Sequence, residues 1–281
     1  MKRFFLIAAA SAALAVPAPA LAAALFGVDE NNNLIGFNSL TPGTFNSSVK
    51  ITGTTATFLA LDVRDSNSLL YGLADDFRVY TINQMTGAAS AVSGALALSG
   101  TNFGFDFNTF VDRLRIVSNN GSNYVVNPDT GALTTATPVF FAAGDPNAGQ
   151  NPIVTANGYV HGTGDQFAIS TSRDALVTQA NNAGTLNTVG SLGIPVGPRS
   201  SFDIGFDGVG YLADTDNFYT VNLTTGQATF VGKTARSLFG ITAVQGAVPE
   251  PATWMMMLLG FGAIGFSIRR KKQSTAHVQF A

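Results

Sequence analysis

The chain of 281 residues contains no cysteine. Disulfides, thiolate metal sites and thiol catalysis are therefore closed to it, and its stability must come from a packed core. Histidine is nearly absent as well, with only His161 and His277. One imidazole without thiolate partners does not build a zinc site of the usual kind. No Gly-x-Ser-x-Gly elbow is present to serve it in Ser-His-Asp chemistry. His161 therefore reads as a satisfied or exposed loop residue. Charged residues make up only 11% of the chain. No phosphate loop, dinucleotide fingerprint or nucleic-acid signature occurs. Between the two ends no stretch sustains the apolar period of a helix.

What is present lies first at the ends. Lys2 and Arg3 open a basic segment, residues 4–16 are apolar, and Ala20-Leu21-Ala22 is a small-residue cleavage site. This pattern predicts a signal peptide over 1–22, removed by signal peptidase at Ala20/Ala22. At the other end Val248-Pro249-Glu250-Pro251 leads through Trp254 into an uncharged run, which is followed by Arg269-Arg270-Lys271-Lys272. Residues 252–268 would span roughly 25 Å as a helix, short for a bilayer core of about 30 Å but feasible with snorkelling cations. The basic stop places the C-terminus in the cytoplasm and the body outside. The whole segment 247–281 resembles the PEP-CTERM sorting tail of exported Gram-negative proteins, with motif residues 248–254. That resemblance implies recognition and processing by an exosortase, commonly in bacteria that make exopolysaccharide.

The body, 23–246, carries nine positive and sixteen negative residues, a net charge of −7. Such a body is a poor partner for nucleic acid or anionic lipid. Its Gly, Asn, Thr, Ser and Phe content reads as many short strands joined by tight turns. Turn glycines at Gly43, Gly87, Gly131, Gly184 and Gly226 are spaced by 44, 44, 53 and 42 residues. A period near 40–45 is that of four-stranded propeller blades. The first repeat lacks a leading strand, and the segment from Leu238 to Val244 is a strand without a repeat of its own. We therefore expect it to complete the first blade. The reading is all-β, a five-bladed β-propeller, with six blades or an open β-solenoid as alternatives. The body also resembles the family catalogued as domain of unknown function 4394, through Gly104-Phe-Asp-Phe-Asn108, the stretch 111–118, Asn127-Pro-Asp-Thr-Gly131 and Gly184-Thr-Leu-Asn-Thr-Val-Gly190. That resemblance implies a propeller-like exported domain and no assigned activity.

Candidate chemistry is thin. Asp62, Asp106 and Asp207 fall near the end of the first strand of three repeats, where a propeller lines its channel. Three converging carboxylates would suit a hard cation such as calcium. The competing reading is that each accepts backbone N–H groups in its own turn. Asp214, Asp216 and Asn217 faintly resemble a calcium loop but lack its glycine and distal glutamate, and read as a hairpin turn. Arg113 and Arg115 alternate with Leu114 and Ile116 and so face one way. They would hold a uronate or other carboxylate, or else meet Asp112 and Asp129 at the surface. Exposed aromatics on a rim would stack on sugars, but the pattern does not single them out.

The expectation is an exported, exosortase-sorted protein of the cell envelope or extracellular matrix. Its body passes through the periplasm from an inner-membrane intermediate and reaches the cell surface or the medium after tail processing. The propeller is expected to bind exopolysaccharide or envelope proteins, or to be structural, without catalysis and without a cofactor. The alternative is a propeller enzyme of lactonase or glycosidase type with calcium on the Asp62, Asp106 and Asp207 ring.

Overall fold

The computed structural model describes residues 22–245 and, in the C-terminal segment, Phe261. The signal-peptide residues up to Leu21, the sorting motif, the membrane segment apart from Phe261 and the basic stop all lie outside the described residues. Among the described residues no helix is long and apolar enough to cross a membrane.

The strands pair in chain order into five sheets. The first holds β1 (Ala24–Asp29), β2 (Asn33–Asn38) and β3 (Thr41–Lys50). The second is β4 (Phe58–Arg64), β5 (Leu69–Ala74), β6 (Val79–Ile82) and β7 (Ala89–Ala91). The third is β8 (Phe103–Asn108), β9 (Arg113–Ser118), β10 (Asn123–Val126) and β11 (Leu133–Thr135). The fourth contains β12 (Phe140–Phe141), β13 (Val154–Tyr159), β14 (Gln166–Ser170), β15 (Ala175–Ala180) and β16 (Thr185–Ser191), with a 3-10 turn η1 (Asn181–Ala183) between the last two. The fifth is β17 (Ser201–Ile204), β18 (Gly210–Asp214), β19 (Asn217–Val221) and β20 (Ala228–Lys233). β21 (Leu238–Val244) then pairs antiparallel with β1, from Ala24↔Val244 to Asp29↔Leu238. The first blade is thus closed by the end of the chain. Arg236, just before β21, fixes this closure through a 2.7 Å ion pair with the buried Asp29 of β1.

The inner strands β4, β8, β13, β17 and β21 neighbour one another around a central channel. Covered on both faces, they are largely apolar with a few buried polar residues: all of β8 and all of β13 are buried. The outer strand β3 instead leaves most of its residues partly or fully exposed. Five apolar clusters hold the ring, and each spans one blade boundary. Edge-to-face aromatic pairs reinforce two of them, Tyr71–Phe107 at 5.1 Å and Phe37–Phe218 at 5.4 Å. The cluster between the third and fourth blades is the smallest, with seven core residues against twelve between the second and third. That difference leaves room for polar groups at this boundary.

The five-bladed propeller is as the repeat predicts, and closure of β21 on β1 sets aside the six-bladed and open alternatives. Two details differ. The turn glycines begin at Gly87, because Gly43 lies within β3 and has no left-handed backbone. The extra length of the fourth repeat supplies β12, a fifth strand parallel to β16, together with the loop that follows it.

Three turns share one chemistry, Asn-x-x-Thr-Gly. The side chains of Asn83, Asn127 and Asn222 each accept the N–H groups two and three residues on. The glycines Gly87, Gly131 and Gly226 close each turn in the left-handed region, donating to the same asparagine's carbonyl at 2.8 Å. The fourth blade departs from this: its turn reads Ala180-Asn181-Asn182-Ala183-Gly184. Gly184 still closes it onto Ala180, but no asparagine side chain is consumed in the turn.

Candidate functional site

Four of the five inner strands carry a polar side chain at one level: Asp62 on β4, Asp106 on β8, Asp203 on β17 and Thr242 on β21, all at most 6% exposed. At that level β13 has Gly158, with Asn157 one residue before it. Carboxylate oxygens of Asp62, Asp106 and Asp203 lie within 4.8 Å of one another. Asp62 and Asp106 therefore converge as expected, but the third member is Asp203 and not Asp207. β17 ends at Ile204, and Gly205 turns the chain back by donating to the Val209 carbonyl at 2.9 Å. Asp207 is left in that turn, accepting the Val209 N–H at 3.1 Å and the Tyr211 hydroxyl at 2.6 Å.

The ring carboxylates stitch the blades together. Asp62 accepts the Phe107 N–H of the next blade at 2.7 Å, Asp106 accepts that of Tyr159 at 3.1 Å, and Asp203 accepts that of Ala243 at 2.6 Å. Thr242 completes the circuit by donating to Asp62 at 2.9 Å. Asp62 and Asp203 also accept the N–H of their own following residues. Each acid thus serves an inner strand beyond its own, a longer reach than a turn acceptor has. Burial raises all three acid pKa values, and charge repulsion adds to this at Asp62 and Asp106. The buried carboxyls of Asp106 and Asp203 lie close together, so charging both is costly. Both amide atoms of Asn157 are buried without a partner.

On one side of the ring the channel narrows to a cavity of about 20 Å³ among the inner strands, and opens into a mouth of about 190 Å³ where Arg199 stacks on Phe239 at 4.2 Å. On the other side His161 follows β13. Its ring stacks on Phe206 at 3.7 Å and bonds Asp65 at 2.9 Å. Burial works to lower its pKa, but the Asp65 carboxylate outweighs this and raises it. His161 is thus a half-buried, ion-paired residue beside the acid ring.

Arg113 and Arg115 do not form ion pairs with Asp112 and Asp129. Asp112 and Asp129 are held by Arg64, at 2.6 and 2.5 Å, across the boundary of the second and third blades. Those bonds lower both acid pKa values. Arg113 reaches only the carbonyl of Asp112, at 2.8 Å. Arg115 is 5% exposed and has no carboxylate partner among the described residues. It donates to Tyr159 Oη at 3.2 Å, Asn123 Oδ1 at 2.9 Å and Asn182 Oδ1 at 2.8 Å. Asn181 Oδ1 accepts the Tyr159 hydroxyl at 2.5 Å. The deviant fourth-blade turn thus supplies two of these acceptors. Asn108, Arg113, Arg115, Tyr159, Asn181 and Asn182 line a cavity of about 230 Å³ at the boundary of the third and fourth blades. Asp214 and Asn217 pair as the ends of a hairpin, with Thr215 left-handed between them, as the sequence predicts.

Sequence reading missed Asp203, Asn157, Tyr159 and Asn182. No residue pattern singles out Asp203, because Phe202-Asp203 and Phe206-Asp207 both match Phe105-Asp106.

The comparisons with known proteins agree with this architecture. A PEP-CTERM protein-sorting motif matches residues 247–271, which marks the protein for export with a membrane-anchored sorting tail and implies exosortase processing. No curated protein matches. Among solved structures, a chain of a nidogen/laminin complex is similar, with a TM-score of 0.53 at 8% identity, covering 80% of this chain and 99% of that one. A Bacteroides thetaiotaomicron protein of unknown function, 14% identical with a TM-score of 0.49, covers 76% of this chain, which spans 59% of it. At 8% identity the likeness to the nidogen/laminin chain concerns the fold alone. The family model described as domain of unknown function DUF4394 matches residues 33–242, most of the chain, and the protein belongs to that family.

Proposed function

We propose that the propeller is a non-enzymatic binding or structural domain, which the sorting tail delivers to the cell envelope or extracellular matrix. The route is an inner-membrane intermediate with the body in the periplasm, released to the cell surface or the medium once signal peptidase and exosortase have acted. Exopolysaccharide and envelope proteins are the candidate ligands. The observation that carries this reading is the use made of the channel acids. The groups best placed for chemistry in a propeller are engaged with the N–H groups of Phe107, Tyr159 and Ala243, and the adjoining channel holds only about 20 Å³. A substrate needs more room and freer groups than this.

The test is intact mass and fractionation of the protein from its own host, followed by a pull-down with host exopolysaccharide. A product ending near Pro249 outside the inner membrane, retained on the polysaccharide, supports the proposal. A saturable hydrolytic activity abolished by one polar substitution would overturn it.

A second reading, a calcium-dependent hydrolase of lactonase or glycosidase type, has one observation in its favour. Asp62, Asp106 and Asp203 offer oxygens within 4.8 Å of one another, with the unpartnered Asn157 amide on the neighbouring strand. Calorimetric titration with calcium and melting with and without chelator decide it. An absence of effect in both removes its support.

A further inference from the structure

We propose that the pocket between the third and fourth blades binds the carboxylate of an acidic sugar, a uronate unit of a polysaccharide, through Arg113 and Arg115. This rests on the reading of the body as a binding domain and names its ligand class. The argument begins with charge. Arg115 is a buried guanidinium in a body of net charge −7, yet its partners are two amides and a phenol. Of its five N–H groups three have acceptors, which leaves two without one among the described residues. A buried cation satisfied only by neutral groups favours an anion brought from outside. Arg64 at the preceding boundary is the internal control, because there the chain supplies Asp112 and Asp129 itself.

The lining then selects the class of anion. Asn108 and Arg113 pair across β8 and β9, so their side chains share the face that carries Arg115. Two guanidiniums on that face suit a planar carboxylate. Asn182 gives its Oδ1 to Arg115 and has its Nδ2 left to donate to a sugar hydroxyl, while the amides of Asn108 and Asn181 are already engaged within the protein and hold the wall in place. Phe110, 73% exposed, stands on the same turn as the lining residues Asn108 and Val111, where its face is free to cover a pyranose ring. The cavity of about 230 Å³ suits one sugar unit better than a folded partner. The site exists because the fourth blade lacks the Asn-x-x-Thr-Gly turn, so Asn182 is not spent on the turn and lines the pocket.

The experiment titrates the purified full-length protein with sodium glucuronate and galacturonate, with glucose and an acidic peptide as controls. We expect millimolar uronate binding that weakens with salt, and none with glucose. Arg113→Gln and Asn182→Asp should each weaken it roughly ten- to hundredfold. Asn182 is exposed, so Asn182→Asp should fold, and it hands Arg115 the carboxylate that the ligand would bring. Its melting temperature should hold or rise while binding is lost, an effect that a merely structural Asn182 would not produce. Uronate binding unchanged in Asn182→Asp, or an acidic peptide held as tightly as a uronate, would overturn the assignment. If uronates fail but exopolysaccharide is still retained, the site falls and the binding role stands. If uronates bind and exopolysaccharide does not, the site stands and the delivery role falls.

Discussion

The carboxylate of Asp203 and the N–H of Ala243 meet at 2.6 Å across forty residues of sequence, tying the fifth blade to the strand that closes the first. The same carboxylate accepts the Ile204 N–H at 2.6 Å. Asp203→Ala would leave two buried N–H groups without acceptors, at about 1–3 kcal/mol each. We expect a destabilisation of roughly 2–5 kcal/mol in urea unfolding, and about half of it for Asp203→Asn, which keeps one acceptor oxygen. Equal losses in the two variants would show that the oxygen is not what matters.

The acid ring predicts a pH dependence. Asp62, Asp106 and Asp203 have raised folded pKa values, chiefly from burial. Above the ordinary carboxylate value of 3.8 the unfolded chain has released protons that the folded protein still holds. Stability therefore falls as pH rises through that window. Asp106→Asn keeps an acceptor for the Tyr159 N–H and removes one charge. We expect it to flatten the profile and to be more stable than the native protein by about 1 kcal/mol at the alkaline end, read from melting between about pH 4 and about pH 8. If calcium occupies the ring, the same variant is less stable than the native protein when calcium is added.

His161 works in the opposite sense. Its folded pKa lies above the ordinary 6.5 because the bond to Asp65 outweighs burial. The pair's contribution is complete below that value and is lost as pH rises through the folded pKa. His161→Gln should lose about 1 kcal/mol in acid and little in alkali. A deficit that does not change with pH would assign the effect to the Phe206 stack instead.

Gly87 sits at φ +71°, and a Cβ there would collide with the carbonyl of Lys50 in the preceding blade. Gly87→Ala should therefore cost more than the ~1 kcal/mol of a simple conformational penalty and lower the melting temperature by several degrees. Gly94 has nothing within 4 Å of such a Cβ and no left-handed backbone, so Gly94→Ala should be nearly neutral.

Much of this was legible in the sequence. The export signals are local, because a basic cluster or an apolar run acts by composition over a short stretch. Blade number was legible because three blades repeat the same turn chemistry within a near-regular spacing of glycines, and an unmatched strand at 238–244 had one place to go. Asp62 and Asp106 were legible as channel acids, but the third was not. Gly205-Phe206-Asp207 matches Gly104-Phe105-Asp106 letter for letter, yet Phe202-Asp203 occupies the strand and Gly205 begins the turn. Asp203 and Asp207 are four residues apart, so strand alternation gives them the same face and cannot choose between them.

The sequence by itself determined the sorting tail, the all-β class and the five-fold repeat, since these depend on interactions within a blade or within a short segment. Only the tertiary structure decided that Arg64, and not Arg113 or Arg115, takes Asp112 and Asp129, and that Arg115 is buried among amides. Those choices are made across blade boundaries, between residues 44 to 67 positions apart, where the angle between blades sets which side chains meet.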